Sequence, residues 1–256
     1  MDIHISCMQC LEEQVFPNSK FEIDEMNNSG LLYTTCSNGH NSLTIIQEHK
    51  FEILFDFGVM ALLDGYPRES ITSISASLER FYEYYINIIC LKHNIKIENF
   101  DNLWKNVDNQ SERQFGAYLF VYFIDKQGET PPIIDDIKPT IENQSKNNTK
   151  TWKSFRNNVV HKGYIPSKKE VLAYMELVFN HIWDLIEELK KNCKEEISQF
   201  WFNYDKKRYP KNNEIKTTNM SINTIVSLNT PRKESFEEAL KDKKKSIELF
   251  KSFHLR

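Results

Sequence analysis

Apolar residues recur every three or four positions through two long stretches of this chain. Ile71, Ile74, Leu78, Phe81, Tyr85 and Ile88 share one face of a helix drawn over residues 68–93. Val171, Met175, Val178, Ile182, Ile186 and Leu189 do the same from residue 168 onward. A period near 3.6 sustained this long does not suit a strand, whose faces alternate every two residues, so the chain is expected to be mainly α. Ser167 and Glu170 ahead of the second stretch have the spacing of a capping box, with Ser as N-cap and Glu three residues on. Shorter helical patterns run from Phe51 through Leu54, Phe55, Val59 and Leu62, over 111–126 with Phe115, Leu119, Tyr122 and Phe123, over 150–161, and over 232–253. Gly128, Pro131, Pro132 and Pro139 break the pattern, and the polar, Asn-rich run to Thr149 reads as a long loop.

The first fifty residues read differently. FEIDEM and LLYTT are separated by Asn27-Asn28-Ser29-Gly30, and SLTII follows Asn38-Gly39-His40, which gives short strands joined by turns. Strands this short build no core of their own and need a staple. Cys7-x2-Cys10 and Cys36-x3-His40 supply one: two ligand pairs, soft thiolate plus imidazole, on either side of the first hairpin. Four protein ligands leave no open position, so the expected role is structural, with Zn2+ as the metal. The segment resembles a zinc ribbon, with Gly39 at the tight turn of the second knuckle. It departs from that pattern in having His as the fourth ligand, a position for which His4 and His49 compete. The plain alternative is a set of free cysteines in a small β module. Cys90 and Cys193 fall inside helical patterns and are expected in the core.

The opening residues MDIHISCMQC have neither a basic nor an apolar signal region, and no run of the chain is long and apolar enough to span a bilayer. A cytoplasmic protein without a membrane partner is the expectation. The formal charge of −3 is uneven: residues 190–256 carry 16 Lys and Arg against 9 Asp and Glu. A basic tail suits nucleic acid or an acidic partner, and equally a solvated helical face. The expected organisation is residues 1–50 as the ribbon, 51–192 as a helical domain and 193–256 as a basic extension, helical in part.

Between the last two strong helical patterns lies Phe155-Arg156-Asn157-Asn158-Val159-Val160-His161-Lys162-Gly163-Tyr164. Arginine, a polar residue, three more residues and then histidine resembles the Rx4–6H signature of HEPN domains, and it sits at the end of the penultimate core helix, as in that family. The resemblance covers residues 51–192 as a bundle of four or five helices. It implies a metal-independent endoribonuclease acting as a homodimer. Two copies of the motif face each other, a ribose 2′-OH attacks the adjacent phosphate, and the products are a 2′,3′-cyclic phosphate and a 5′-OH. A role as a toxin or an effector of antiviral defence, with an antitoxin or regulatory protein as a further partner, is implied in the same way.

The residue types suit that chemistry. A histidine titrates near neutral pH, so His161 can take or give the proton. An arginine stays charged and offers a planar fork of donors, so Arg156 can hold the phosphate. Asn157 would orient the histidine or contact RNA. The resemblance also implies an acidic residue on the first long helix touching the motif arginine, for which Glu79 is the candidate, with Glu83 one turn later. Five residues of helix would rotate His161 by about 140° from Arg156, so the two converge only if the helix ends near His161, where Gly163 offers a stop. The alternative is a HEPN module that binds RNA, a nucleotide or another protein without cleaving. His181 and His93 are expected to pack or lie on the surface. Trp152 is a base-stacking candidate by position and a core residue by type. No GxxxxGK[ST], HExxH or GxSxG motif offers a different chemistry.

Overall fold

In chain order the elements of the computed structural model are α1 (Met8–Glu12), β1 (Phe21–Ile23), β2 (Leu31–Cys36), β3 (Asn41–Ile46), α2 (Lys50–Leu63), α3 (Pro67–Lys92), α4 (Ile97–Trp104), α5 (Ser111–Asp125), α6 (Trp152–Lys162), α7 (Lys168–Asn192), α8 (Lys194–Arg208), β4 (Lys216–Met220) and α9 (Phe236–His254). The structure describes residues 7–14, 21–23, 29–139, 151–209 and 215–254. The protein is mainly helical with one small sheet, and no helix among the described residues is long and apolar enough to cross a membrane. The chain divides into two units, residues 1–49 with 201–223, and residues 50–200 with 224–256. The basic extension expected at 193–256 is therefore not a body of its own. Its parts are distributed between the sheet unit and the helical unit.

In the helical unit α3 is the central element, packing against α2, α4, α5, α6 and α7. Its predicted stripe is buried, and so are Tyr82, Tyr84, Ile86 and Ile89 beside it, because neighbours cover more than one face. Gly58 of α2 lets the backbones approach: a Cβ there would lie 2.6 Å from Ile74 Cγ1 and 3.1 Å from the Ser70 carbonyl oxygen. Both α6 and α7 start on reciprocal caps. The expected box is present, with Glu170 N–H donating to Ser167 Oγ at 3.3 Å and Ser167 N–H to Glu170 Oε2 at 2.7 Å. Thr151 and Ser154 form a second box on α6. The helix of residues 97–104 had no counterpart in the sequence reading.

Two buried carboxylates on α2 hold the returning chain. Leu228 N–H donates to Glu52 Oε1 at 2.7 Å and Ile225 N–H to Asp56 Oδ1 at 3.0 Å, while Lys243 of α9 pairs with Asp56. Spaced by four residues, the two acids face the same way, and their partners offset the cost of burying charge. Phe236 at the start of α9 meets Phe179 of α7 at 5.5 Å between ring centroids.

The sheet has the order β1-β2-β3-β4. The β1–β2 and β2–β3 pairs are antiparallel, with Phe21 opposite Cys36 and Leu31 opposite Ile45. The fourth strand, which sequence reading did not anticipate, pairs with β3 in parallel, Ser42 opposite Lys216. Trp201 and Tyr204 join this unit by packing on the buried His49 ring, at 4.2 and 4.9 Å between centroids. Arg208 lies over Tyr204 and donates to the Ile46 carbonyl oxygen.

Two outcomes test the helical core. Gly58→Ala should lower stability by roughly 1–3 kcal/mol, because the new methyl meets the fully buried Ile74, and this outweighs a helix-propensity gain of about 1 kcal/mol. Adding Ile74→Val should recover part of the loss in denaturant titrations. His181 is buried and hydrogen-bonds Tyr82 Oη at 3.1 Å, and burial brings its pKa down to about 4. An unfolded histidine binds its proton near pH 6.5, so the stability contributed by neutral His181 is complete above that pH. It declines as pH falls toward 4, by at most about 3 kcal/mol. His181→Gln should flatten the stability-versus-pH curve between those limits.

Candidate functional site

The two cysteine–histidine pairs come together in the sheet unit. Cys7 is the N-cap of α1 and Cys10 lies in its first turns, so the first pair sits on a helical turn, not on the strand-flanking knuckle expected. Cys36 ends β2, and its N–H donates to the His40 carbonyl oxygen at 3.0 Å while Gly39 N–H donates back to the Cys36 carbonyl oxygen at 2.8 Å. That tight turn needs φ of +82° at Gly39, the left-handed region where glycine has no Cβ penalty. The ligand atoms of Cys7, Cys10, Cys36 and His40 all lie within 4.8 Å of one another. Cys10 Sγ is 3.7 Å from Cys36 Sγ and 3.3 Å from His40 Nδ1, and Cys7 Sγ is 3.8 Å from the same nitrogen.

These lengths have a simple reading. A disulfide needs about 2 Å between sulfurs. A tetrahedron built on metal–sulfur bonds of about 2.3 Å has edges near 3.8 Å. The four residues could therefore bind a metal ion, with Nδ1 as the imidazole donor. The outer groups fit as well: Glu13 Oε2 lies 3.4 Å from His40 Nε2, and Asn38 Nδ2 donates to Cys10 Sγ at 3.2 Å. A carboxylate on the far ring nitrogen fixes the tautomer that leaves Nδ1 free to ligate. His49 takes no part. It is buried against Trp201 and Tyr204, and burial, with Arg208 nearby, brings its pKa down to about 3. His4 lies outside the described residues.

The arginine–histidine motif occupies α6 in the helical unit. Phe155 and Val159 are buried, and Trp152 is a core residue between Phe155 and Tyr174, at 5.3 and 5.6 Å, so its ring is not available to a base. Arg156 points into a pocket with Glu79, Tyr82, Phe115 and Asp135. Its side chain is 12% exposed; Nη1 lies 3.8 Å from Asp135 Oδ2, and Nε donates to Asn157 Oδ1 at 3.4 Å. Burial raises the pKa of Glu79 and of Asp135, and the Arg156 charge opposes the rise in both. One guanidinium thus lies against the Asp135 carboxyl group and shares its pocket with that of Glu79. Glu83, the other acidic candidate, is held by Arg80 at 2.6 Å.

His161 is exposed on the last turn of the same helix. Gly163 does end α6, with φ of +72°, but the helix runs through Lys162 first. Both motif positions are therefore helical, and their side chains leave the axis about 140° apart. Within one chain the structure brings Arg156 to Glu79 and not to His161, and Asn157 contacts the arginine, not the histidine. Asp135 was missed by sequence reading. It arrives because Lys153 and Trp152 N–H groups donate to the carbonyls of Asp135 and Ile137, at 2.9 and 3.0 Å, which docks that loop on the start of α6. No spacing in the sequence signals such a contact. The segment 140–150, part of the expected long loop, lies outside the described residues.

A metal at the cysteine cluster gives a direct expectation. Metal-free protein titrated with Co2+ should develop the visible absorption of a tetrahedral thiolate site at one equivalent, and Cys36→Ser should weaken binding at least 10-fold. Chelation should melt the sheet unit while the far-ultraviolet helix signal largely persists. Comparison of the chain with protein-family models, with curated proteins and with solved structures finds no match.

Proposed function

We propose that the helical unit is a HEPN-type, metal-independent endoribonuclease that works as a homodimer, and that Cys7, Cys10, Cys36 and His40 of the sheet unit hold a structural zinc ion. The observation that carries the catalytic reading is the exposed His161 on the final turn of a helix that also bears Arg156, closed by a left-handed glycine. Glu79 of α3 sharing a pocket with Arg156 adds the acidic companion that the family resemblance implies.

The reaction is internal transesterification. The 2′-oxygen bonds to phosphorus as the P–O5′ bond breaks. One imidazole takes the 2′-OH proton, and a protonated one supplies a proton to the departing 5′-oxygen. A single motif provides one imidazole, so the second comes from another copy of this chain. The divergence of Arg156 and His161 on α6 makes the same demand, since the two motif residues meet only if two motifs are brought face to face. RNA is the substrate, and a toxin or antiviral-defence role in the cytoplasm, held in check by an antitoxin or regulatory protein, follows from the resemblance.

A second reading has its own support. The Arg156 guanidinium lies 3.8 Å from Asp135 and shares a pocket with Glu79, which suits a residue that holds the bundle together in a domain that binds RNA or a protein without cleaving.

Incubation with single-stranded RNA in buffer without added divalent cations separates the two. The catalytic reading expects 2′,3′-cyclic phosphate ends, a loss of at least 100-fold in rate in His161→Ala, and a similar loss in Arg156→Ala. Intact RNA with wild type, or undiminished cleavage in His161→Ala, removes it. If the site is composite, an excess of His161→Ala chains mixed with wild type should lower activity by more than dilution does, because mixed dimers lack the second imidazole.

A further inference from the structure

Arg68 is the second residue of α3, the positive end of a helix, where a cation is unfavourably placed. It is held there from outside its own helix. Its Nε donates to the Val159 carbonyl oxygen at 3.3 Å and its Nη2 to the Val160 carbonyl oxygen at 3.4 Å. These are among the last carbonyls of α6, and Val160 is joined by its peptide bond to His161. The cation beside the candidate catalytic histidine is thus Arg68, while Arg156 is directed to Asp135 and Glu79.

A guanidinium has two edges that can each grip a pair of acceptors. In Arg68 the Nε/Nη2 edge is spent on the two carbonyls. The Nη1/Nη2 edge is left, on a side chain that is 46% exposed, with Glu69 its nearest carboxylate at a loose 3.9 Å. That edge matches the two non-bridging oxygens of a phosphodiester. The setting needs such a cation. The carbonyl end of α6 carries partial negative charge and by itself repels a phosphate approaching His161. Arg68 offsets that end, and the exposed Lys162 adds a second positive charge against the carboxylate of Glu69.

We propose that Arg68 is the phosphate-gripping residue of the His161 centre, reading the RNA backbone through its outer edge while its inner edge fixes the end of α6. The assignment rests on the reading of His161 as the proton-transfer group. Arg68 is a substrate-contacting residue in this scheme, and Arg156 a positioning residue behind it.

The test uses the full-length, metal-loaded protein and a fully 2′-O-methylated single-stranded oligonucleotide, which cannot be cleaved. Arg68→Gln keeps a side-chain donor for the α6 carbonyls and removes both the charge and the outer fork. It should retain a melting temperature close to wild type, weaken binding at least 10-fold and reduce the salt dependence of binding by about one phosphate contact. Arg68→Lys should fall between the two, since an ammonium supplies charge without the fork. The His161 imidazole resonance should shift on titration in wild type and not in Arg68→Gln. Wild-type affinity and salt dependence in a folded Arg68→Gln, or in Arg68→Lys and Arg68→Gln alike, overturns the assignment whatever the cleavage assay shows. Arg68-dependent binding without cleavage of ordinary RNA by wild type removes the ribonuclease reading and keeps the phosphate contact. Cleavage that is lost in His161→Ala but unchanged in Arg68→Gln does the reverse.

Discussion

Helix α3 lies at the middle of the helical unit, and every functional statement about that unit depends on its burial. It reaches five other helices, carries Glu79 into the arginine pocket, and presents Arg68 to the end of α6. A helix covered on one face could shift along its axis at little cost. One covered on several, with Gly58 allowing backbone-close contact at Ile74, is held in register by steric fit. The positions of Arg68 and Glu79 along α3, eleven residues apart, are fixed by the same packing. The two groups therefore address different turns of α6 as a rigid pair, Arg68 its last carbonyls and Glu79 the pocket of Arg156.

The two units solve the stability problem by different means. The helical unit buries large side chains, among them Trp183, Tyr85, Phe81 and Phe179, and draws its returning segment in with buried carboxylates. The sheet unit has short strands and buries smaller side chains such as Leu32, Leu43 and Ile45, with Trp201 and Tyr204 against His49. One of its buried clusters, Cys7, Cys10 and Cys36, is a group of thiols beside His40 that could bind a metal ion. Acid affects both, through different groups. Neutral His181 and His49 resist protonation because burial disfavours the charged ring.

What the sequence made legible follows the same division. The stripes of α3 and α7 could be read because a helix that buries one face must repeat its apolar residues at 3.6, and the Cys/His set because a tetrahedral site needs four soft or imidazole donors at close spacing. The strand KTTNM at 216–220 could not. It alternates no apolar residues, and it exists because β3 offers it an edge. Asp135 was hidden for a similar reason, since backbone hydrogen bonds bring its loop to α6 and side-chain patterns carry no trace of them. The divergence of Arg156 and His161 turned on whether α6 stops before or after His161, a difference of two residues at a helix end, where sequence signals are weakest. Arg68 sits ninety-odd residues from the carbonyls it grips, a separation across which no local pattern reports.

The parallel pairing of β3 with β4 has a consequence for how the protein is made. Thr44 and Thr218 face each other across that pair although they are 174 positions apart. A ribosome delivers α1, β2 and β3, and with them the four residues that could bind a metal ion, long before it delivers the last strand. A cation bound there would close the cluster while the outer edge of β3 still has open N–H and C=O groups. Throughout translation of the helical unit that edge is a docking template for any extended chain nearby. Early metal capture would then act as a hold on the nascent sheet, keeping β2 and β3 in register until the proper strand emerges to occupy the vacancy.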